Sequence, residues 1–431
     1  MKILMVTNTY FPISGGLEQS IRSFSNEFRK QGHEVLIAAP YTEGRAQDEE
    51  HVIRVPALQR FNKTEFSLNL PVPGFLSSLM KTFPPDIVHS HHPFFMGDYA
   101  IRLSRQYHVP LVFTYHIMLE KYTHYLPIDN EMAKRFVVEI ASGYADLADQ
   151  VIVPTVSVRD ILIKQGVASS IEVVPTGIDL EHFSKGQRKI FREQNQIPLE
   201  APVIGYAGRL AQEKNLDFLM NCLIDFLRKE AMAHILIVGQ GPLEKMIRDR
   251  FEKFGFADRL HLTGLLCDQS LADAYSAMDI FAFSSLSETQ GVVLIEAMAS
   301  GVPVVAVDAP GVREVVKDQV NGRLINKCDK NEFIKSLVWS LNCPKEKWLS
   351  IKRQARKTAG EYSINSCAKR MLNIYEGLLS KEFVHSENNT RSWYMLEQRL
   401  KAEWDIFKNI IEAGETAVLE ASFRRKQESQ S

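Results

Sequence analysis

Short apolar runs separated by amphipathic stretches recur along most of this chain. Residues 2–7 form the first run, and 17–30 then carry Ile21, Phe24 and Phe28 at the three-and-four spacing of a helix, stopped by Gln31-Gly32. Runs at 34–39, 86–90, 111–114, 150–154 and 171–174 have the length and apolarity of buried strands. A second series begins near Ala201, with strand-like runs at 203–207, 234–238, 260–263, 280–284 and 302–307. Strands alternating with helical stretches predict parallel βαβ units, and so an α/β fold of two doubly wound lobes. Ligands in such lobes sit beyond the carboxyl ends of the strands, which makes a cleft between the lobes the expected site. The polar stretch 184–198 between the two series reads as the linker.

Two segments break the rhythm. Residues 56–85 mix Pro56, Pro71, Pro73, Pro84 and Pro85 with Phe61, Phe66, Leu70, Phe75 and Leu79. Core-packed filler and an acceptor or membrane surface are equally good readings of so apolar a loop. Near the end, Trp393, Leu396, Leu400, Trp404, Phe407 and Ile411 fall on one helical stripe. Packing on the chain's own body is the first reading; self-association through this helix and a membrane-surface helix are the others.

Composition narrows the class. The 431 residues are too many for one ordinary core, and 45% hydrophobic with 24% charged residues is ordinary for a globular protein. A formal net charge of −1 argues against a nucleic-acid partner. Cys222, Cys267, Cys328, Cys343 and Cys367 are scattered and form no CxxC, against both a disulfide framework and a zinc site. The N-terminal apolar run ends at Thr7-Asn8-Thr9, too soon for a signal peptide, and no run of 18 apolar residues occurs. The expected location is cytoplasmic, with docking at the inner face of the membrane left open.

The polar loops after the runs carry the candidate chemistry. Glu288 and Glu296 stand eight apart, one in the loop after 280–284 and the other inside a helix that starts near Gly291. Free amides at such a helix start attract a diphosphate, glycine allows close approach, and the carboxylates can bind sugar and ribose hydroxyls. Solvated charge is the plainer reading of the pair taken alone. Arg209 and Lys214, in the loop after 203–207, are two cations suited to a departing diphosphate, or a surface charge pair. Gly15-Gly16 before the 17–30 helix, and Gly239-Gln240-Gly241-Pro242 after 234–238, are each a phosphate loop or a tight turn. His116 follows the 111–114 run and could donate to a sugar hydroxyl or touch an acceptor. His89, His91 and His92 crowd one strand end, but no thiol or carboxylate joins them, so no metal site is expected.

In order along residues 1 to about 380 stand NTYFPISGGLE, PDIVHSHHPF, VVPTGID, GRLAQEKN and an E-x7-E element continuing as GVVLIEAMASGVPVVA. With these the chain resembles the retaining glycosyltransferases of family 4, which have the two-lobed GT-B fold. The resemblance implies an acceptor-binding Rossmann-like lobe (1–185), a nucleotide-sugar-binding Rossmann-like lobe (186–365) and a helix crossing back to the first lobe (366–380). The tail, 381–431, lies outside it. It implies that Arg209 and Lys214 hold the diphosphate, that Glu288 contacts the transferred sugar beside the amides of Gly291, Val292 and Val293, and that Glu296 binds ribose. Gly16 would close over the phosphates and His116 would lie beside the sugar. No metal or other cofactor is implied. The aromatic stretch 113–127 and Glu288-Thr289-Gln290-Gly291 look like the bacterial diacylglycerol glucosyltransferases, which implies UDP-glucose as donor and a lipid acceptor at a membrane. Other readings are GDP-mannose as donor, a polysaccharide, phosphoinositol-type or small soluble acceptor, and a non-catalytic nucleotide-sugar binder.

Overall fold

The computed structural model describes residues 1–11, 15–41, 50–58, 68–69, 81–118, 131–380, 405–406 and 408–409. They form two compact units, one of 1–175 with the chain from Cys367 onward, the other of Thr176–Ser366.

The first unit is built on a seven-stranded parallel sheet. Its strands are β1 (Lys2–Val6), β2 (Glu34–Pro40), β3 (Val52–Val55), β6 (Ile87–Ser90), β7 (Leu111–Thr114), β8 (Gln150–Val153) and β9 (Ile171–Val173), in the order β3-β2-β1-β6-β7-β8-β9. A short antiparallel pair, β4 (Ala57–Leu58) and β5 (Leu68–Asn69), stands apart from it. The helix Gly16–Lys30 buries Ile21, Phe24 and Phe28, and Gly32 follows its end at φ +86, a conformation glycine adopts without strain. The helix Ile364–Ser380 joins this unit from Cys367: Tyr375 Oη lies 2.6 Å from His89 Nδ1, and Arg370 donates to the Val173 carbonyl at 2.6 Å.

The second unit has a six-stranded parallel sheet: β10 (Val203–Ala207), β11 (His234–Val238), β12 (Leu260–Leu262), β13 (Ile280–Phe283), β14 (Val304–Val307) and β15 (Gly322–Ile325), ordered β12-β11-β10-β13-β14-β15. Strands β10, β13 and β14 are buried along their whole length, which is why they read as unbroken apolar runs. In each sheet the strand order reverses at one place, between β1 and β6 and between β10 and β13, where loops diverge and a ligand crevice forms.

The expected linker 184–198 is not one. It holds the helix Arg188–Gln194, whose Phe191 and Arg192 are buried in the second unit. The Arg192 guanidinium donates to the carbonyls of Ala277 (2.7 Å), Leu199 (2.7 Å) and Ala201 (2.9 Å) and to Asp279 Oδ2 (2.9 Å). Its polar composition is that of a helix whose arginine is spent inside. Most of the 56–85 loop, the aromatic residues 119–127 and all six residues of the tail stripe lie outside the described residues. Of that tail, Ile406 is buried in the first unit's core and Asn409 donates to the Ile140 carbonyl at 3.2 Å, so at these points it packs on its own body. No helix among the described residues is long and apolar enough to cross a membrane.

Candidate active site

In the second unit the loops after β10 and β13, neighbours at the reversal of strand order, are sewn together. Ser284 Oγ donates to the carbonyls of Lys214 (3.0 Å) and Asn215 (3.1 Å), Asn215 Nδ2 donates back to the Ser284 carbonyl (3.2 Å), and Ser287 Oγ donates to the Glu213 carbonyl (3.1 Å). Asn215 sits at φ +54, which asparagine tolerates. This stitching puts Lys214 Nζ 2.7 Å from Glu288 Oε1, with both side chains mostly shielded, at 17% and 15% exposure. Burial pushes the Glu288 carboxyl up, but the Lys214 charge and hydrogen bond and a bond from Ser285 outweigh it, leaving it below the usual range and ionised. Arg209 is half-buried in the same β10 loop, where its carbonyl accepts from Tyr206 Oη at 3.2 Å.

Immediately after Glu288 the helix Val292–Ala299 begins, with Gly291 preceding it at φ +75. A Cβ at Gly291 would lie 2.8 Å from Leu294 Cδ1, so both conformation and space call for glycine. The first N–H groups of a helix have no acceptor within it, so Val292 and Val293 present amide hydrogens beside the Lys214–Glu288 pair in sequence and at the same sheet edge. One turn further on, Glu296 is half-buried and accepts from Tyr275 Oη at 2.7 Å. Burial raises its carboxyl to about 7, against a smaller lowering by the tyrosine bond. Gln290, 2% exposed, locks the loop from behind: its Oε1 accepts from the Thr176 amide (2.7 Å) and its Nε2 donates to the Thr176 carbonyl (2.9 Å).

Seven of the nine expected site residues therefore belong to one edge of the second unit: Arg209, Lys214, Glu288, Gly291, Val292, Val293 and Glu296. Gly16 and His116 belong to the first unit. Gly16 opens the helix Gly16–Lys30, exposed, and among the described residues nothing outside its own helix and chain neighbours comes within 4 Å of where a Cβ would stand. His116 follows β7, half-buried, with Nε2 2.9 Å from His91 Nδ1. His89 bridges Tyr375 Oη and Thr114 Oγ1, each at 2.6 Å, and His92 Nδ1 accepts from the Asn8 amide at 3.1 Å. Burial holds all four imidazoles far below their ordinary values, His89 and His92 at about 3, so each is neutral. Among the described residues no three His, Cys, Asp or Glu side chains converge on a metal position.

The Gly239-Gln240-Gly241-Pro242 loop is a packing turn. A Cβ at Gly239 would meet the Gly208 carbonyl oxygen at 2.0 Å, and the Gln240 carbonyl accepts from Leu210 at 2.9 Å, so these glycines let two loops touch backbone to backbone. Tyr275, Gln290 and the serines of the β13 loop carry no sequence signal of their own; their roles appear only with their partners in place.

Comparison with known proteins agrees with this geometry. Residues 14–182 match the family described as Glycosyltransferase Family 4, and residues 187–358 match Glycosyl transferases group 1. The chain is 30% identical over 334 residues to an alpha-monoglucosyldiacylglycerol synthase of Streptococcus pneumoniae, covering 75% of each chain. It is 29% identical over 331 residues to a GDP-mannose-dependent alpha-mannosyltransferase of Mycobacterium tuberculosis, covering 75% of this chain and 84% of that one. The fold matches that of Anabaena HepE, solved with UDP, at a TM-score of 0.71 and 19% identity over 88% of this chain and all of that one. With its two parallel-sheet Rossmann-like units and these relatives, the chain belongs to the GT-B glycosyltransferases of the family 4 and group 1 type and is a hexosyltransferase.

Proposed function

We propose that this enzyme transfers glucose from UDP-glucose to the free hydroxyl of diacylglycerol, with retention of configuration. The observation that carries the reading is the mostly shielded Lys214–Glu288 pair at the head of the helix Val292–Ala299. A departing nucleoside diphosphate gathers negative charge, and cations with helix-start amides stabilise it where it forms. In this reading Lys214, Arg209 and the amides of Val292 and Val293 hold the diphosphate, and no metal is needed. Glu288 takes sugar hydroxyls and Glu296 takes ribose hydroxyls.

Two arguments support retention. The relatives are named for alpha products, and UDP-glucose and GDP-mannose are themselves alpha-linked donors. Glu288, one oxygen already held by an ammonium, is a poor nucleophile for a double displacement. Same-face substitution, in which the departing diphosphate takes the acceptor proton, uses only the groups present. Diacylglycerol is favoured because the sequence is similar to glucolipid synthases of two bacteria, S. pneumoniae and Acholeplasma laidlawii. The mannosyltransferase relative favours a second reading, GDP-mannose with another acceptor.

The test offers UDP-glucose and GDP-mannose separately, each with and without diacylglycerol vesicles, and measures nucleotide release and product mass. The expected result is vesicle-dependent UDP release with a hexosylated lipid. UDP release that ignores vesicles would overturn the acceptor, and turnover of GDP-mannose alone would overturn the donor.

A further inference from the structure

Tyr275 lies on the helix Asp268–Ala277, away from every motif that marks the site, yet it is fully buried and its one polar atom is aimed at Glu296. Its ring is fixed edge-on against Phe183 (5.7 Å between centroids) and tilted against Phe281 (5.8 Å). Its hydroxyl donates to Glu296 Oε2 at 2.7 Å. A half-buried carboxylate on a helix has several rotamers; one donor on a rigid ring selects among them. Among the described residues the tyrosine is the protein partner that the Glu296 carboxylate has. Occupying Oε2 leaves Oε1 as the acceptor for a ligand.

We infer that Tyr275 is a positioning residue for nucleotide recognition: by holding Oε2 of Glu296 it presents Oε1 to the hydroxyls of a ribose, and so makes the enzyme discriminate ribonucleotide from deoxyribonucleotide donors. The inference rests on the assignment of Glu296 to ribose. Tyr275 touches neither sugar nor phosphate in this scheme; it acts through the carboxylate. A hydroxyl that finds its acceptor already oriented binds more tightly than one that must first order it, and a deoxyribose gains nothing from the ordering.

Binding of UDP and of 2′,3′-dideoxy-UDP, with the corresponding GDP pair in parallel, measured by calorimetry on the intact protein, tests this. The quantity read is the ratio of the two dissociation constants, which a general loss of packing would not change selectively. In the unsubstituted enzyme the ribonucleotide should bind roughly tenfold or more tightly, the scale of one hydrogen bond. Tyr275→Phe keeps the ring and its packing, and should cut that ratio severalfold. It should also raise KM for the donor while leaving kcat nearly unchanged. Glu296→Ala should abolish the ratio. A full ratio in Tyr275→Phe, with the ratio lost in Glu296→Ala, would overturn the role of the tyrosine and leave the ribose assignment standing. A full ratio in Glu296→Ala, or no ratio in the unsubstituted enzyme, would overturn the ribose assignment and the inference with it.

Discussion

At the scale of single residues the site divides into those whose chemistry the sequence announces and those whose chemistry depends on a partner. Lys214 and Glu288 are legible because charged residues stand in glycine-bearing loops directly after apolar strands; their 2.7 Å contact is not, because 74 residues separate them. Gln290 and Tyr275 are illegible for the same reason: an amide clamping Thr176 and a phenol aimed at Glu296 look, along the chain, like any loop glutamine or core tyrosine. Replacing Lys214 by alanine removes one donor to the leaving group and leaves Glu288 without its ammonium. In the scheme above turnover should fall about 10²- to 10³-fold, the usual effect of losing one such donor. Steady-state rates with saturating donor, set beside the thermal midpoint, check this; near-normal turnover would remove Lys214 from the reaction.

At the scale of elements, strands buried on both faces were readable almost to the residue, since a continuous apolar run is what a central parallel strand requires. In the two main sheets the strands that escaped are edge strands. Strand β3 carries Arg54, whose guanidinium donates to the Phe11 carbonyl at 2.8 Å, and β15 begins at Gly322, where a Cβ would meet the Val304 carbonyl oxygen at 2.3 Å. Charge and glycine disguise both. The end of β6 has a further consequence. His89, His91 and His92 are buried and held neutral, so the folded state resists the proton that the unfolded chain accepts near the ordinary value of 6.5. Their contribution is intact above pH 6.5 and is lost as pH falls below it, by up to about 1.4 kcal/mol per pH unit for each histidine that stays neutral. Glu296, raised to about 7, works the other way in the second unit: its folded form prefers the proton, so its contribution declines as pH rises from the carboxyl's ordinary 4.5 toward 7. Glu296 belongs to the second unit, so urea midpoints should drop steeply between pH 6.5 and 5 for the transition that reports the first unit. A midpoint constant over that interval would show that the histidines are not buried neutral.

At the scale of the whole chain, the order of five motifs carried the family, and each motif alone had an ordinary explanation. The sheet reversals explain part of that order: the loops after β1 and β6, and after β10 and β13, diverge at them, and Gly16, Arg209, Lys214 and Glu288 follow three of these four strands. Composition misled once. The polar run 184–198 resembled a connector because a surface and a buried arginine cage have the same residue types, and only the carbonyls around Arg192 tell them apart. Retaining transfer of glucose to a lipid is read from the anomeric configuration of the product. Purified enzyme, UDP-glucose and diacylglycerol vesicles should yield a glucosyl lipid whose anomeric proton, read by NMR before any equilibration, is alpha. A beta-linked lipid would contradict the account, because inversion requires a positioned base that the scheme does not contain.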